Sequence, residues 1–365
     1  MKHSHRIARV RALCALGLPG EQLIPALLEA LHGVIPSARN LFDWTDAQGN
    51  LVRYYFEGPI DHEINRHHFE EFYNRREREA MPGFRQAVTG RAVIHSAAEI
   101  DNAAFYRSAL YNEIWRPQGL HSRIEAIVRG ARSRPLGSLV LYREGGDPAF
   151  TRTDEELLAA AVPYVARALE ADGALPRDYV LRRDRRAQLS LSPDGALLHV
   201  SQDAHKLLLL AHGGITPEDA SRPPCANDYP TLRLLVAQLR RHEGLSRTGV
   251  TLTVENVWGR FLFDAEPLLA VGDAAPSLIH VAIEQQEPRA VALRRALDAL
   301  PLSVTQKEVC ALLRAGHTQG EIASAMGIAP STVADHVRKI YEKLDVHTTH
   351  ELTQLLDAPA ASAAR

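Results

Sequence analysis

Hydrophobic positions recur along the chain with two periods, which divide it into helical and strand-like stretches. In residues 21–35 the apolar side chains recur every three to four positions, which predicts an amphipathic helix. Residues 38–57 hold two aromatic and β-branched runs around a turn-forming cluster, which predicts a β-hairpin. A charged helix is predicted at 63–79, strands at 92–95, 123–128 and 136–142, and a closing helix at 153–171, capped by Thr153 with Glu156. An antiparallel sheet mixed with helices is therefore expected over residues 20–172, after an N-terminal segment of residues 1–19.

A second mixed stretch follows. Pro176 and a basic run mark residues 173–185 as a linker. The next elements are a hairpin at 188–200, helices at 203–211 and 232–241, and strands at 250–255, 260–263 and 278–284. They predict a second domain over residues 186–287. Residues 288–301 are expected to form a linker helix, and the Ala/Ser-rich tail of residues 358–365 is expected to be disordered.

Composition narrows the class of protein. At 365 residues the chain exceeds one ordinary core, and 45% hydrophobic with 24% charged residues is typical of folded globular proteins. The formal charge of -2 means that any contact with nucleic acid depends on local basic groups. Three scattered cysteines fit a reducing compartment, and the apolar run near the start is shorter than a membrane span. We therefore expect a cytoplasmic protein that does not associate with membranes.

The last sixth of the chain holds the most specific pattern. Residues 305–314 predict one helix, and residues 318–326 predict a second, capped by Thr318 with Glu321 and ended by Gly327. Pro330 opens a third helix. Its apolar stripe consists of Val333, Val337, Ile340, Tyr341 and Leu344. Two short helices joined at a glycine predict a helix-turn-helix.

Residues 302–357 closely resemble the LuxR-type DNA-binding domain. The matching residues are Leu302-Ser303, Glu308-Val309, Gly316, Glu321-Ile322-Ala323, Met326-Gly327-Ile328, Thr332-Val333, His336, Lys343-Leu344 and Val346. The resemblance implies an all-α four-helix unit whose third helix enters the major groove of DNA. It covers only this part of the chain.

The resemblance also assigns roles within the third helix. It implies that Thr332, Val333 and His336 place and orient the helix, with backbone contacts from its start at Ser331. Ala334, Asp335 and Arg338 then occupy base-facing positions, although many relatives carry Lys or Arg where Ala334 stands. Arg338 suits a bidentate guanine contact, and Lys339 and Lys343 suit phosphates. From Leu302 to Glu351, five basic residues face six acidic ones, so we expect modest, salt-dependent binding per protomer and a homodimer.

The front of the chain resembles sensory domains. Tyr111-Asn112-Glu113, Arg116-Pro117, Gly119-Leu120-His121 and Leu136-Gly137-Ser138-Leu139 are similar to a segment of LuxR-type regulators that carry GAF-like domains. Residues 186–287 are similar in outline to a PAS-like domain. Such α/β domains imply a small-molecule pocket or a dimerisation surface. The candidate pocket residues are Trp44, Tyr54, Phe56, Phe105, Tyr111, Trp115 and His121, with core packing as the alternative for each of them.

Other classes fit less well. Nothing near the start matches a phosphoacceptor receiver domain, and Trp44, Tyr54, Asp61 and Trp115 follow the order but not the spacing of acyl-homoserine-lactone sensors. His67 and Glu71 share a helix face, but a solvated face is the simpler interpretation than a metal site. No catalytic constellation is apparent, so no enzyme, cofactor or metal is expected.

The expected fold is α+β, with GAF-like and PAS-like α/β sensory domains before the helical DNA-binding domain. The expected function is a LuxR-type transcriptional regulator whose partners are a double-stranded DNA operator, a small-molecule effector and a second copy of the chain. RNA polymerase is a further candidate partner. The alternative is a ligand-binding or protein-interaction protein whose C-terminal domain only dimerises.

Overall fold

The computed structural model describes residues 6–242, 249–268 and 277–357. The chain forms two compact units, Met1–Glu287 and Pro288–Arg365. The predicted disordered tail, residues 358–365, lies outside the described residues. Over the described ranges, none of the helices has both the length and the apolar character needed to cross a membrane.

The first unit contains a five-stranded sheet in the order β2-β1-β5-β4-β3. Its antiparallel pairing confirms the sheet predicted from the hydrophobic pattern. The strands are β1 (Arg39–Thr45), β2 (Leu51–Phe56), β3 (Ile94–His95), β4 (Ser122–Arg129) and β5 (Pro135–Arg143). In the register of the sheet, Asp43 lies between Tyr54 of β2 and Ser138 of β5.

Long helices pack on one face of this sheet. They are α1 (Ala8–Cys14), α2 (Gly20–His32) and α6 (Arg152–Glu170), and their contacts with each other and with β1 and β4 bury a continuous apolar layer. Asn40 ties β1 to α2, because its side-chain amide donates to the carbonyl of Leu28 at 2.9 Å. Since side chains alternate along a strand, Asn40 and Phe42 face these helices and Asp43 faces the other way.

Short elements cover the opposite face. They are α3 (His62–His67), α4 (Phe84–Thr89) and α5 (Ala103–Arg107), with π-helical turns at His68–Phe72 and Leu110–Trp115 and a 3-10 turn at Arg76–Glu79. The single helix predicted over residues 63–79 is therefore wrong. The helix breaks at Asn74, whose φ is 56°, and Glu77 then turns inward to accept the amides of Asn74 and Phe84.

A second sheet has the same relative strand order, β7-β6-β10-β9-β8. Its strands are β6 (Tyr179–Leu191), β7 (Leu197–Val200), β8 (Val250–Asn256), β9 (Gly259–Leu268) and β10 (Leu278–Pro288), and its helices are α7 (Ala204–Ala211), α8 (Pro217–Ala220) and α9 (Pro230–His242). The predicted linker 173–185 thus contains the start of β6. The basic run is compatible with a strand because Arg182 forms ion pairs with Glu29 and Glu287.

The two sheets pack together within the first unit. The amide of Tyr54 donates to the carbonyl of Ile215 at 2.9 Å, and the buried ammonium of Lys206 donates to the carbonyls of Phe56 and Gly58. The Trp258 ring lies 5.5 Å from that of Trp44. Residues 20–172 and 186–287 both lie in one compact unit. Their division into two domains stays a prediction.

The second unit is entirely helical in its described residues. It comprises α10 (Arg289–Ala299), α11 (Val304–Arg314), α12 (Gln319–Met326), α13 (Pro330–Leu344) and α14 (Thr349–Asp357). The helix predicted as the linker 288–301 packs in this unit, because Leu297 lies in its core and Arg294 pairs with Glu308 at 3.2 Å.

The start of α6 differs from the prediction. The cap is Thr151 rather than Thr153, and it forms a capping box with Asp154 in which each residue bonds the backbone amide of the other. Both threonines precede an acidic residue at the right spacing. The box forms with Asp154 rather than Glu156 because Asp154 is buried and lies 3.4 Å from the guanidinium of Arg143.

We predict that Thr151→Ala lowers the free energy of unfolding of the first unit by about 1 kcal/mol, because an amide at the helix start loses its acceptor. The corresponding drop in the melting temperature, about 2 °C, is measurable by differential scanning calorimetry. The matched control is Thr153→Ala, since Thr153 lies two residues further along the chain and is exposed; a change near zero is expected for it. Equal losses in the two variants would contradict the assignment of the cap.

Candidate functional site

The C-terminal unit presents a helix-turn-helix formed by α12 and α13. Thr318 caps α12 in a box with Glu321, as predicted from the sequence. The helix ends at Gly327, whose φ of 64° is the left-handed conformation that glycine adopts without strain. The amide of Ile328 returns to the carbonyl of Ala323 at 3.1 Å, which fixes the turn into α13.

One face of α13 is buried and the other is exposed. Val333, Val337 and Ile340 pack in the core of the unit. Val333 can therefore orient the helix but does not present its side chain to a groove. Of the other residues with a predicted DNA role, His336 is half-buried, and the exposed ones are Ser331, Thr332, Ala334, Asp335, Arg338, Lys339 and Lys343.

Arg338 is held by acidic neighbours on its own helix. Its Nη1 atom donates to Glu342 at 2.7 Å, and its Nη2 atom lies 3.8 Å from Asp335. These pairs are exposed, so each is worth only a fraction of a kcal/mol. The guanidinium can therefore exchange them for a partner that accepts two hydrogen bonds.

The two lysines of this face differ in their surroundings. The ammonium of Lys343 donates to Gln306 at 3.0 Å and lies 3.4 Å from the carbonyl of Pro301, which ties the end of α13 to the start of α11. Lys339 forms no hydrogen bond or ion pair with any residue that the structure describes. Of the two lysines, Lys339 is therefore the one whose charge is available for a contact with a DNA phosphate.

A cavity of about 130 Å³ lies in the first unit, between the first sheet and the short elements that cover it. Three of the predicted pocket residues line it, namely Tyr54, Phe56 and Trp115. The other four do not. Trp44 packs on Trp258, Phe105 lies behind Trp115 with ring centroids 4.9 Å apart, and Tyr111 bonds His121 at 3.0 Å.

The polar groups of the cavity were not predicted from the sequence. Asp43, Glu77, Arg123 and Glu125 line it, and all four side chains are largely buried. A signal was present, since Arg123 and Glu125 alternate with apolar residues along a central strand. On a strand buried on both faces, charged residues at every second position indicate a polar interior.

These groups interact closely. Arg123 lies 2.8 Å from Glu125 in an ion pair whose angle is not that of a hydrogen bond, and Ser138 donates to the other oxygen of Glu125. Burial raises the pKa of Asp43 well above its ordinary range, and the nearby Glu125 adds to this effect. Burial also raises the pKa of Glu77. Burial therefore favours the uncharged form of the Asp43 carboxyl group when the cavity holds no partner for it.

In the described part of the chain, no three His, Cys, Asp or Glu side chains are arranged so that they could hold a metal ion. The His67 ring bonds Glu113 at 2.7 Å. Its geometry is that of a surface pair.

Comparison with known proteins identifies the C-terminal domain. Residues 300–356 match the family model of the bacterial regulatory proteins of the luxR family. This part of the chain is thus a LuxR-type helix-turn-helix domain, a class of DNA-binding regulatory domain. The match covers the C-terminal domain alone, and no curated protein matches the sequence.

Several solved structures show a distant likeness. A phage VqmA–DPO complex is 18% identical, with 50% of this chain and 85% of that one covered and a TM-score of 0.21. A Vibrio cholerae VqmA–ligand–DNA complex is 18% identical over 47% and 82%, with a TM-score of 0.21. The Escherichia coli DhaR(N)–DhaL complex is 14% identical over 75% and 87%, with a TM-score of 0.26. Likeness at this level carries no conclusion about fold or function.

We predict that Asp43→Asn stabilises the first unit, and more so as the pH rises. The pKa of Asp43 is higher in the folded than in the unfolded chain, so the aspartate costs stability as the pH rises through this interval. The cost is about 1.4 kcal/mol for each unit of difference in pKa. Melting temperatures of both proteins at pH 5 and pH 8 measure it.

The matched control is Asp46→Asn in the same hairpin. Hydrogen bonds from Asn50 hold the pKa of the partly exposed Asp46 below its ordinary value, so this variant gains no stability at high pH. A gain from Asp43→Asn that is the same at both pH values would contradict the raised pKa.

Proposed function

We propose that the protein is a LuxR-type transcriptional regulator that binds operator DNA as a homodimer and senses a small-molecule effector in its first unit. The observation that carries the proposal is the helix-turn-helix of residues 300–356, with one face of α13 packed and the other exposed. A helix with one free face of this kind fits the major groove.

The start of α13 offers a contact for the DNA backbone. No side chain among the described residues caps this helix, and Ser331 and Thr332 at its first turn are exposed. A phosphate at this point accepts a hydrogen bond from a free backbone amide and interacts favourably with the helix dipole. This contact places the helix in the groove without reading the base sequence.

Base recognition is assigned to Arg338. Its guanidinium projects from the exposed face, and the pair with Glu342 shows that it already bonds an acceptor there. Guanine offers two acceptors in the geometry that arginine matches. Asp335 contributes by accepting from cytosine or by repelling the wrong site, and Ala334 leaves room for both.

The charge of the domain supports action as a dimer. Five basic residues against six acidic ones from Leu302 to Glu351 give a weak electrostatic attraction to DNA. Two copies on a near-palindromic site double the contacts. RNA polymerase stays a candidate partner.

The first unit supplies the proposed sensor. Its two sheets share one relative strand order, which supports their interpretation as GAF-like and PAS-like modules. The cavity on the first sheet, with aromatic walls and a few buried polar groups, has the composition of a small-molecule site.

One observation favours the alternative function. Arg338 is engaged by Asp335 and Glu342, so α13 as it stands is also consistent with a surface that no longer binds DNA and serves in dimerisation. The two predictions that follow separate these functions.

We predict that Arg338→Ala weakens binding to a duplex selected by the full-length protein by about ten- to hundredfold, since a bidentate base contact is worth about 1–3 kcal/mol. Binding to random DNA should change little. The control is Arg314→Ala, since Arg314 pairs with Asp357 away from α13. Fluorescence anisotropy measures the affinities of the full-length protein and of the two variants for the selected duplex and for random DNA. Undiminished specificity in Arg338→Ala would remove this residue from base recognition.

We predict different effects from the two lysines. Lys339→Ala should weaken binding to every duplex alike and reduce the slope of log affinity against log salt by about 1 per protomer. Lys343→Ala should instead lower the melting temperature of the C-terminal unit, because its bond to Gln306 is lost. Titrations at four salt concentrations measure the slope for both variants, and thermal denaturation measures their melting temperatures. A salt slope that only Lys343→Ala reduces would reverse the assignment.

A further inference from the structure

The cavity of the first unit carries an imbalance of charge. Three carboxyl groups, Asp43, Glu77 and Glu125, line it, and Arg123 is the guanidinium among its lining residues. His68 adds no charge, because burial lowers its pKa to about 4. If all three carboxyl groups were ionised, the lining would hold two uncompensated negative charges away from bulk water, which is costly.

Two of the three carboxyl groups accept hydrogen bonds from the described residues, although Oε2 of Glu125 has only its ion pair with Arg123. Glu77 accepts the backbone amides of Asn74 and Phe84 at 2.6 and 2.8 Å. Glu125 accepts from Ser138 and pairs with Arg123. Both are therefore engaged in holding the fold.

Asp43 is different. Asp43 is only 7% exposed and lines the cavity. Its carboxyl group nevertheless forms no hydrogen bond with any residue in the described ranges. A buried polar group without a partner is rare in folded proteins and calls for an explanation. A ligand group that donates to Asp43 supplies one.

The walls around Asp43 suit a cation. The lining includes the aromatic residues Tyr54, Phe69, Tyr73, Phe84, Trp115 and Tyr142. Aromatic faces attract organic cations, and the attraction increases when the cation is shielded from water. The volume of about 130 Å³ is close to that of cavities that hold a benzene ring, about 150 Å³.

We propose that this cavity binds a small organic monocation, a primary amine on a compact apolar group, with its ammonium on the Asp43 carboxylate. The inference rests on the proposed sensory role of the first unit and names the chemical class of the effector. Aromatic side chains enclose the apolar part, and Arg123 and Glu125 remain paired with each other.

Binding includes a proton transfer. Burial favours the neutral acid of Asp43 in the free protein. The ammonium ligand enters as a cation, so the protonated fraction of Asp43 releases its proton to solvent as the ion pair forms. Affinity therefore rises about tenfold per pH unit below the pKa of Asp43. The groups that face Asp43 from the surrounding elements are Arg123 and Glu125 of β4, Glu77, His68, Tyr54, Tyr73 and Tyr142.

Isothermal titration calorimetry of the full-length protein tests the proposal. The probes are benzylamine, cyclohexylamine and butylamine, with benzyl alcohol as the neutral counterpart of benzylamine. At pH 8 we expect at least one amine to bind, benzylamine to bind at least tenfold tighter than benzyl alcohol, and buffers of different ionisation enthalpy to reveal proton release. Asp43→Asn should remove the preference for the amine, and Asp46→Asn should keep it.

Several results would overturn the inference. They are equal or tighter binding of benzyl alcohol, which indicates a neutral ligand, binding without proton release, and no binding of any of the three amines. The measurements on the wild-type protein decide the question even if Asp43→Asn fails to fold. A negative result with intact binding to a selected duplex overturns this inference alone, and loss of DNA binding with intact amine binding overturns the proposed function alone.

Discussion

The burial of charged side chains on one face of the first sheet is the constraint on which the rest of the first unit depends. Arg123 and Glu125 lie on a central strand, and Asp43 lies two strands away on the same face. Moving such groups out of water costs several kcal/mol each unless they are paired. The covering segment offsets part of this cost with backbone amides directed at Glu77. The covering segment provides no such partner for Asp43, and the cavity lies beside this residue.

This constraint explains why the sequence predicted the sheet but not the cavity. Regular alternation and helical periodicity identified β1, β2, β4, β5, α2 and α6, because those elements are set by local sequence. The helix α1 lies in residues 1–19, where no helix was predicted. The segment of residues 59–118 has no such period. Its short turns form where Phe72 and Glu77 are buried. The burial of these two side chains depends on contacts with residues distant in sequence. Aromatic residues alone were a poor guide, since Phe105 and Trp44 serve the core.

The C-terminal unit was the more predictable part. Its capping boxes, its glycine at the turn and the apolar stripe of α13 are local signals, and Thr318, Gly327 and Val333 lie where these signals placed them. Side-chain partners were not predictable. The bond between Lys343 and Gln306 joins two helices, and it separates two lysines that the sequence presents as equivalent. The extension of this unit by α10 likewise depends on packing, through Leu297.

We propose that the C-terminal helix-turn-helix makes this chain a sequence-specific DNA-binding regulator. The most direct measurement is selection of sheared genomic DNA from the source organism by the full-length protein at physiological salt, followed by sequencing of the bound fragments. We expect enrichment of a small set of fragments that share a near-palindromic motif whose half-sites are about one helical turn apart. Recovery of fragments in proportion to their abundance, with no shared motif, would contradict it.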